Sequence, residues 1–116
     1  MKPLAIHHVA INVSDLDAAL EFYQGALGLV ARSDRPDFGF PGAWLDAGPQ
    51  QLHLIEAAAP PNVGQHFAIR VEDIDAVVAE LRAAGHRPSE PSPVGNSRQA
   101  FISDPSGNVV ELHEVG

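Results

Sequence analysis

The sequence predicts an α+β fold made of two tandem βαβββ modules within one domain. Three observations predict it. First, the chain is written twice. His8-Val9-Ala10-Ile11-Asn12-Val13-Ser14-Asp15-Leu16-Asp17-Ala18 lies without a gap on His66-Phe67-Ala68-Ile69-Arg70-Val71-Glu72-Asp73-Ile74-Asp75-Ala76, at an offset of 58 residues (66 − 8) in a chain of 116. Second, the same offset continues to the end, pairing Asp46 with Asp104, His53 with Glu111, Leu54 with Leu112 and Glu56 with Glu114. Third, each half places one helix-period segment after one β-rich run and before three more. The modules are then residues 1–58 and 59–116 of a single domain, and the Pro/Asn/Gly stretch 60–64 is too short to separate independent domains.

The elements follow in order. Residues 6–13 and 66–71 are β-rich with partial alternation. Ser14 or Asp15, with Asp17 behind it, caps a helix start, where acidic side chains suit the dipole. Leu16, Ala19, Leu20, Tyr23 and Leu27 repeat at helical spacing, and Gly25 and Gly28 read as stops. In the second half Asp73 opens a helix with Ile74, Val77, Val78 and Leu81 on one face, and Gly85 ends it. Three short strands are expected after each helix: 29–32, 43–46 and 51–56, then 87–89, 99–103 and 108–114. Gly48-Pro49 and Pro105-Ser106-Gly107-Asn108 are tight-turn chemistry between the last two strands. One helix covers one face of each four-stranded sheet, so the other face must be buried by something else or line a site.

Composition narrows the function. The absence of cysteine excludes disulfides, thiolate metal sites and cysteine catalysis. The formal charge is −8, and the seven Lys and Arg residues form no cluster, so no nucleic-acid partner is expected. No apolar run approaches a bilayer span, so no membrane partner is expected either. Met1-Lys2-Pro3 does not open a signal peptide, and a cytoplasmic location is expected. Six histidines in so short a chain are left to explain.

Strand parity explains three of them. Val9, Ile11 and Val13 point one way on the first strand, under the helix, and His8, Ala10 and Asn12 point the other. Phe67, Ile69 and Val71 likewise oppose His66, Ala68 and Arg70. On the last strand of each half, Leu52 and Leu54 oppose Gln51, His53 and Ile55, while Val110 and Leu112 oppose Val109, Glu111 and His113. His8, His53, His66 and Glu111 therefore share the less apolar face and occupy only two repeat positions. Three imidazoles and a carboxylate form a donor set for Zn, Ni, Mn, Co or Fe. Four protein ligands leave water positions on a five- or six-coordinate ion, whereas zinc with four and no water would be a closed structural site. His113 lies at the rim of that face. His7 has helix-side parity and reads as a surface residue, His86 as a loop residue, and Glu56 and Glu114 as solvated strand ends. Trp44, Phe38 and Phe40 are pocket walls or core.

These residues carry a family likeness. His8-Val9-Ala10-Ile11 with Asp15-Leu16, Glu21-Phe22-Tyr23 with Leu27-Gly28-Leu29, His66-Phe67-Ala68-Ile69 with Asp73, and Asp104-Pro105-Ser106-Gly107-Asn108 ending in Glu111-Leu112 resemble the vicinal oxygen chelate superfamily over essentially the whole chain. That group contains glyoxalase I, bleomycin resistance proteins and extradiol dioxygenases. The resemblance implies paired βαβββ modules in a cupped mixed sheet around a divalent metal ion. It implies a homodimer with sites built from both chains. By position it carries the first-strand ligands to His8 and His66 and the fourth-strand ligands to His53 and Glu111. His53 departs from glyoxalase I, which has a glutamate there. Gly42-Ala43-Trp44-Leu45 with His53-Leu54 is closer to glyoxalase-like single-domain members.

The expected function is a metal-dependent lyase or isomerase of the lactoylglutathione lyase type, acting on a small vicinal-oxygen substrate through an enediolate-type intermediate. Glu111, the only carboxylate in the set, would be both ligand and general base. Arg70 on the ligand face and Arg98 beside the loop 90–95 are candidate contacts for a substrate carboxylate, with Asn12 on the same face as Arg70. Two alternatives stand beside it: a metal-dependent dioxygenase or epoxide-opening enzyme, and a non-catalytic antibiotic-binding protein.

Overall fold

Two separate strand ladders organise the computed structural model, which describes residues 1–116. The chain divides into two compact units, Met1–Pro60 and Pro61–Gly116. In the first unit the elements are β1 (His8–Val13), α1 (Leu16–Leu20) running into a π-helical segment (Glu21–Ala26), β2 (Val30–Ala31), β3 (Gly42–Ala47) and β4 (Gln50–Glu56). In the second they are β5 (His66–Arg70), α2 (Ile74–Ala83), β6 (Ser92–Val94), β7 (Ser97–Ser103) and β8 (Val109–Glu114). The sheet orders are β1-β4-β3-β2 and β5-β8-β7-β6, so both are mixed four-stranded sheets. The pairs β1/β4 and β5/β8, at one edge of each sheet, are parallel, as the long crossover between their strands allows, and the remaining pairs are antiparallel. No helix is long and apolar enough to cross a membrane.

Each helix begins the same way. The Asp15 carboxylate accepts from the Ala18 N–H at 3.1 Å, and Asp73 does the same for Ala76 at 3.1 Å. A second carboxylate reaches each helix start from the end of the neighbouring strand. Glu56 accepts from the Leu16 N–H at 2.9 Å, and Glu114 accepts from the Ile74 N–H at 3.0 Å. Glu56 and Glu114 are therefore not idle solvated strand ends. Their helix-side parity aims them at the two free N–H groups, where negative charge also meets the positive end of the dipole.

The apolar stripes pack where parity sends them. Val13, Ala19, Phe22, Tyr23, Leu45, Leu52 and Leu54 form the core of the first unit. Ile74, Val78, Leu81, Ala100, Ile102, Val110 and Leu112 form that of the second. Gly25 does not stop the first helix. It lies inside the π-helical segment, where the Leu27 N–H reaches the Phe22 carbonyl at 3.0 Å. The stop is Gly28, whose φ of 72° is the left-handed conformation that glycine adopts without a Cβ clash.

Two further expectations are corrected. Residues 87–89 form no strand, and the edge strand is Ser92–Val94. Ser89 reaches β7, donating its N–H to the Phe101 carbonyl at 2.9 Å and accepting from the Phe101 N–H through Oγ at 2.9 Å. The proline-interrupted sequence 87–91 delays pairing until Ser92. The match of Asp46 with Asp104 is also not structural. Asp46 sits inside β3 opposite Gln51, whereas Ser103 is the residue opposite Val109, and Asp104 lies in the turn beyond. Asp104 holds that turn by accepting from the Ser106 and Asn108 N–H groups at 2.9 and 2.8 Å. The longer second turn shifts the hairpin register by one residue, so the partner of Trp44 in the repeat is Phe101.

Candidate functional site

Register builds the same row of side chains in both units. In the first, Ala10, His53 and Trp44 are cross-strand neighbours on β1, β4 and β3. In the second, Ala68, Glu111 and Phe101 occupy the equivalent places on β5, β8 and β7. A small residue on one side of each polar donor leaves it room, and an aromatic on the other supports it.

His53 is 9% exposed. Its ring lies between two others: His8 stacks on it with centroids 4.0 Å apart, and Trp44 stacks on it at 4.4 Å. Gln51, two residues earlier and so on the same face, places Oε1 2.8 Å from His53 Nε2. Burial lowers the basicity of His53, and the charges of His8 and His7 lower it further. That shift favours the neutral ring, which is the ligand form of imidazole.

This stack floors a cavity of about 400 Å³. Trp44, Phe38 and Phe40 wall it, as the sequence allowed. Phe38 and Phe40 are 49% and 45% exposed and stack on each other at 5.7 Å. Two lining residues were missed. His7 precedes β1, so strand alternation does not govern it, and its Nδ1 lies 2.9 Å from His8 Nδ1. Arg35 comes from the long connection between β2 and β3. Its guanidinium sits 5.0 Å from the Phe38 ring centre and 5.4 Å from that of Phe40. No sequence periodicity marks such a loop residue, although an Arg-x-x-Phe-x-Phe run was visible.

In the second unit the buried Glu111 carboxylate is shared by two imidazoles. His66 Nε2 lies 3.1 Å from one oxygen, and His113 Nδ1 donates to the other at 2.7 Å. His66 Nδ1 faces the Gly64 carbonyl at 2.9 Å. A carbonyl can only accept, so Nδ1 carries the proton and neutral His66 would aim a bare Nε2 lone pair at Glu111 Oε1. Two acceptors this close require a positive charge between or on them. Without metal that charge is a second proton, and the Gly64 carbonyl and Glu111 together raise the His66 pKa. A divalent cation meets the same demand. Two N/O donors bonded to one cation at about 2.1 Å stand roughly 3 Å apart at near-tetrahedral to octahedral angles, and the observed separation is 3.1 Å. The donor chemistry thus fits a metal ion in the second unit, with His113 orienting the carboxylate from behind. Neither unit by itself gathers three or more His, Asp or Glu side chains arranged to hold a metal. The donors come as two pairs, His8 with His53 and His66 with Glu111.

The other candidates sort by face. Arg70 stands opposite His113 on the Glu111 face and forms no ion pair. Asn12 donates to the Ala58 carbonyl at 3.2 Å. Arg98 does not join this face. Gln99 and Phe101 point towards Glu111, so Arg98 points to the helix side, where it binds both oxygens of Asp75 at 2.7 and 3.0 Å.

Comparison with known proteins identifies the family. The family described as the Glyoxalase/Bleomycin resistance protein/Dioxygenase superfamily matches residues 5–112. A lactoylglutathione lyase of Arabidopsis thaliana is 33% identical over 94% of this chain and 44% of its own length. A protein named probable lactoylglutathione lyase from Vibrio cholerae is 33% identical over 92% of this chain and 88% of its own. The chain spans less than half the length of the plant relatives. Among solved structures, an antibiotic binding protein from a Streptomyces species superposes with a TM-score of 0.85 at 26% identity, covering 100% of this chain and 99% of that one. With this match over nearly its whole length, the chain belongs to the Glyoxalase/Bleomycin resistance protein/Dioxygenase superfamily.

Proposed function

We propose that the protein is a metal-dependent, glyoxalase-like lyase or isomerase of a small molecule with two adjacent oxygens. The observation that carries this reading is the His66–Glu111 pair, a lone-pair nitrogen and a carboxylate oxygen 3.1 Å apart that require a positive charge. His8, His53, His66 and Glu111 are the proposed donors, two from each unit, at equivalent places in the repeat. Relatives named lactoylglutathione lyase support the reaction class.

His8, His53, His66 and Glu111 would hold the divalent cation, which would supply Lewis acidity toward a developing oxyanion. The chain's own residues supply the rest. Glu111 removes the proton from the carbon next to the carbonyl and returns it to the adjacent carbon. His113 fixes the rotamer of that carboxylate by donating to its second oxygen. Burial of Glu111, 9% exposed, keeps water from competing for the proton. We further infer a homodimer from the family likeness, testable by light scattering as a mass near twice the chain's 12.3 kDa.

Elemental analysis tests the central claim on untagged protein and a His66→Ala variant. The expected result is bound metal in the wild type, its loss in the variant, and activity restored to stripped wild type by Zn, Ni, Mn, Co or Fe. No metal in either protein and no activity on addition would overturn the reading in favour of a binding protein. Iron with oxygen consumption would point to a dioxygenase.

A further inference from the structure

The cavity in the first unit combines an aromatic enclosure with one unneutralised cation. Among the arginines, Arg32, Arg82 and Arg98 are each tied to a carboxylate at 2.7 to 2.8 Å. Arg35 is not. Its only hydrogen bond within the chain runs from Nη2 to the Phe40 carbonyl at 3.1 Å, so most of its donor fork is unused. It is nonetheless held in place. The rings of Phe38 and Phe40 lie against the guanidinium, and the missing side chain of Gly42 makes room for it, since a Cβ there would come within 2.7 Å of Arg35 Nη2. A half-buried guanidinium, positioned by aromatic rings and without a carboxylate partner, is poised for a planar anion.

We propose that this cavity is the specificity subsite for a small, flat, apolar carboxylate, with Arg35 binding the carboxylate and Phe38, Phe40 and Trp44 enclosing the apolar body. The observations favour this ligand over the alternatives. A cationic ligand would suit the aromatic walls but would meet Arg35, with His7 and His8 beside the same cavity. A long polar ligand would leave its hydrogen-bonding groups against Ala10, Leu54 and Ile55, which also line it. The carboxylate ligand is the substrate only if the lyase reading holds, but its binding at Arg35 does not depend on that reading.

The test is therefore a binding measurement on metal-free protein. Trp44 is the only tryptophan in the chain, and its fluorescence reports directly on the cavity. Three probes share one ring: phenylglyoxylate, its neutral methyl ester, and benzyltrimethylammonium. Phenylglyoxylate is expected to bind roughly tenfold or more tighter than the ester, the scale of a charge-assisted hydrogen bond, and the ammonium weakest. Arg35→Gln should erase the gap between acid and ester, Arg35→Lys should keep part of it, and Phe38→Ala should weaken acid and ester alike. Calorimetry on the same variants guards against a change in Trp44 emission alone, and circular dichroism confirms that they fold. Equal binding of acid and ester by the wild type, a gap that survives Arg35→Gln, or preference for the ammonium would overturn the proposal. None of those results would bear on the metal content that tests the lyase reading.

Discussion

Glu111→Gln separates the structural and chemical roles assigned to Glu111. In the wild type the carboxylate accepts from His113 Nδ1 at 2.7 Å and faces His66 Nε2 at 3.1 Å. A glutamine of the same shape can keep both contacts without any added charge. Its oxygen accepts from His113, and its NH₂ donates to the bare His66 nitrogen. The fold should thus lose no more than about 1 kcal/mol, the net worth of one hydrogen bond. The chemistry should suffer far more. Removing a general base slows turnover about 10²- to 10⁴-fold, roughly 3–5 kcal/mol on the barrier at 1.36 kcal/mol per tenfold. The His66 pKa, raised first by the Gly64 carbonyl and second by Glu111, should fall but stay partly raised, because the Gly64 contact remains. Three assays check this: thermal unfolding, turnover of a hemithioacetal or aryl glyoxal at saturating metal, and NMR titration of His66 in metal-free protein. Full activity in the variant would refute the base role. An unchanged His66 pKa would refute the geometric argument for a charge between the two side chains.

The remaining predictions follow from the same contacts. In metal-free protein, the raised His66 pKa contributes stability that is complete below the ordinary value of 6.5 and is lost as pH rises through its folded value. The depressed His53 pKa acts in reverse, with full stability above 6.5 that declines as pH falls towards its folded value. Ring-proton NMR should therefore show His53 titrating at lower pH than His66, and the opposite order would contradict both assignments. Glu56→Ala and Glu114→Ala should each cost about 1 kcal/mol, as loss of a helix cap does, and lower Tm by roughly 3–5 °C without changing metal content. Metal loss in either variant would mean that these carboxylates do more than start the helices. Gly42→Ala places a Cβ against the Leu54 carbonyl oxygen and Arg35, so it should destabilise the protein by about 1–3 kcal/mol in urea unfolding and weaken phenylglyoxylate binding. A neutral result would show that the Arg35 loop yields without consequence.

What the sequence made legible was whatever depends on periodicity. The 58-residue offset and strand alternation put His8 on one face with His53, and His66 with Glu111 and His113. They did not reveal what lies opposite a side chain across a turn or a loop. Asp46 and Asp104 aligned in sequence, yet a longer turn moved one of them out of the sheet. Glu56 and Glu114 had the correct parity, but their partners lie 40 residues away at the helix starts. His7 and Arg35 lie outside strands, where no period applies, and only the folded chain brings them to the cavity. Arg98 is a simpler case, because alternation along β7 sets it opposite in parity to Gln99 and Phe101 and sends it to Asp75 on the helix side.

The repeat also shows how the two halves have diverged. Each keeps the row of alanine, donor and aromatic, so the framework is common. The donor on the fourth strand differs, and its surroundings differ with it. Around His53, burial first and then the nearby imidazoles and the Arg32 and Arg35 guanidiniums lower the basicity of the ring, in surroundings that favour anions. Around Glu111 two imidazoles flank the carboxylate, whose contact with His66 is balanced by a proton or, as proposed, by a cation in its place. If both halves had kept a carboxylate at this position, the proposed four-donor set would carry one more negative charge, and the cavity on the first half would repel the ligand that Arg35 is placed to hold. Histidine at position 53 therefore does two things that a carboxylate could not do together. As a proposed metal donor it adds no charge, and its flat ring packs between His8 and Trp44 in the lining of the cavity.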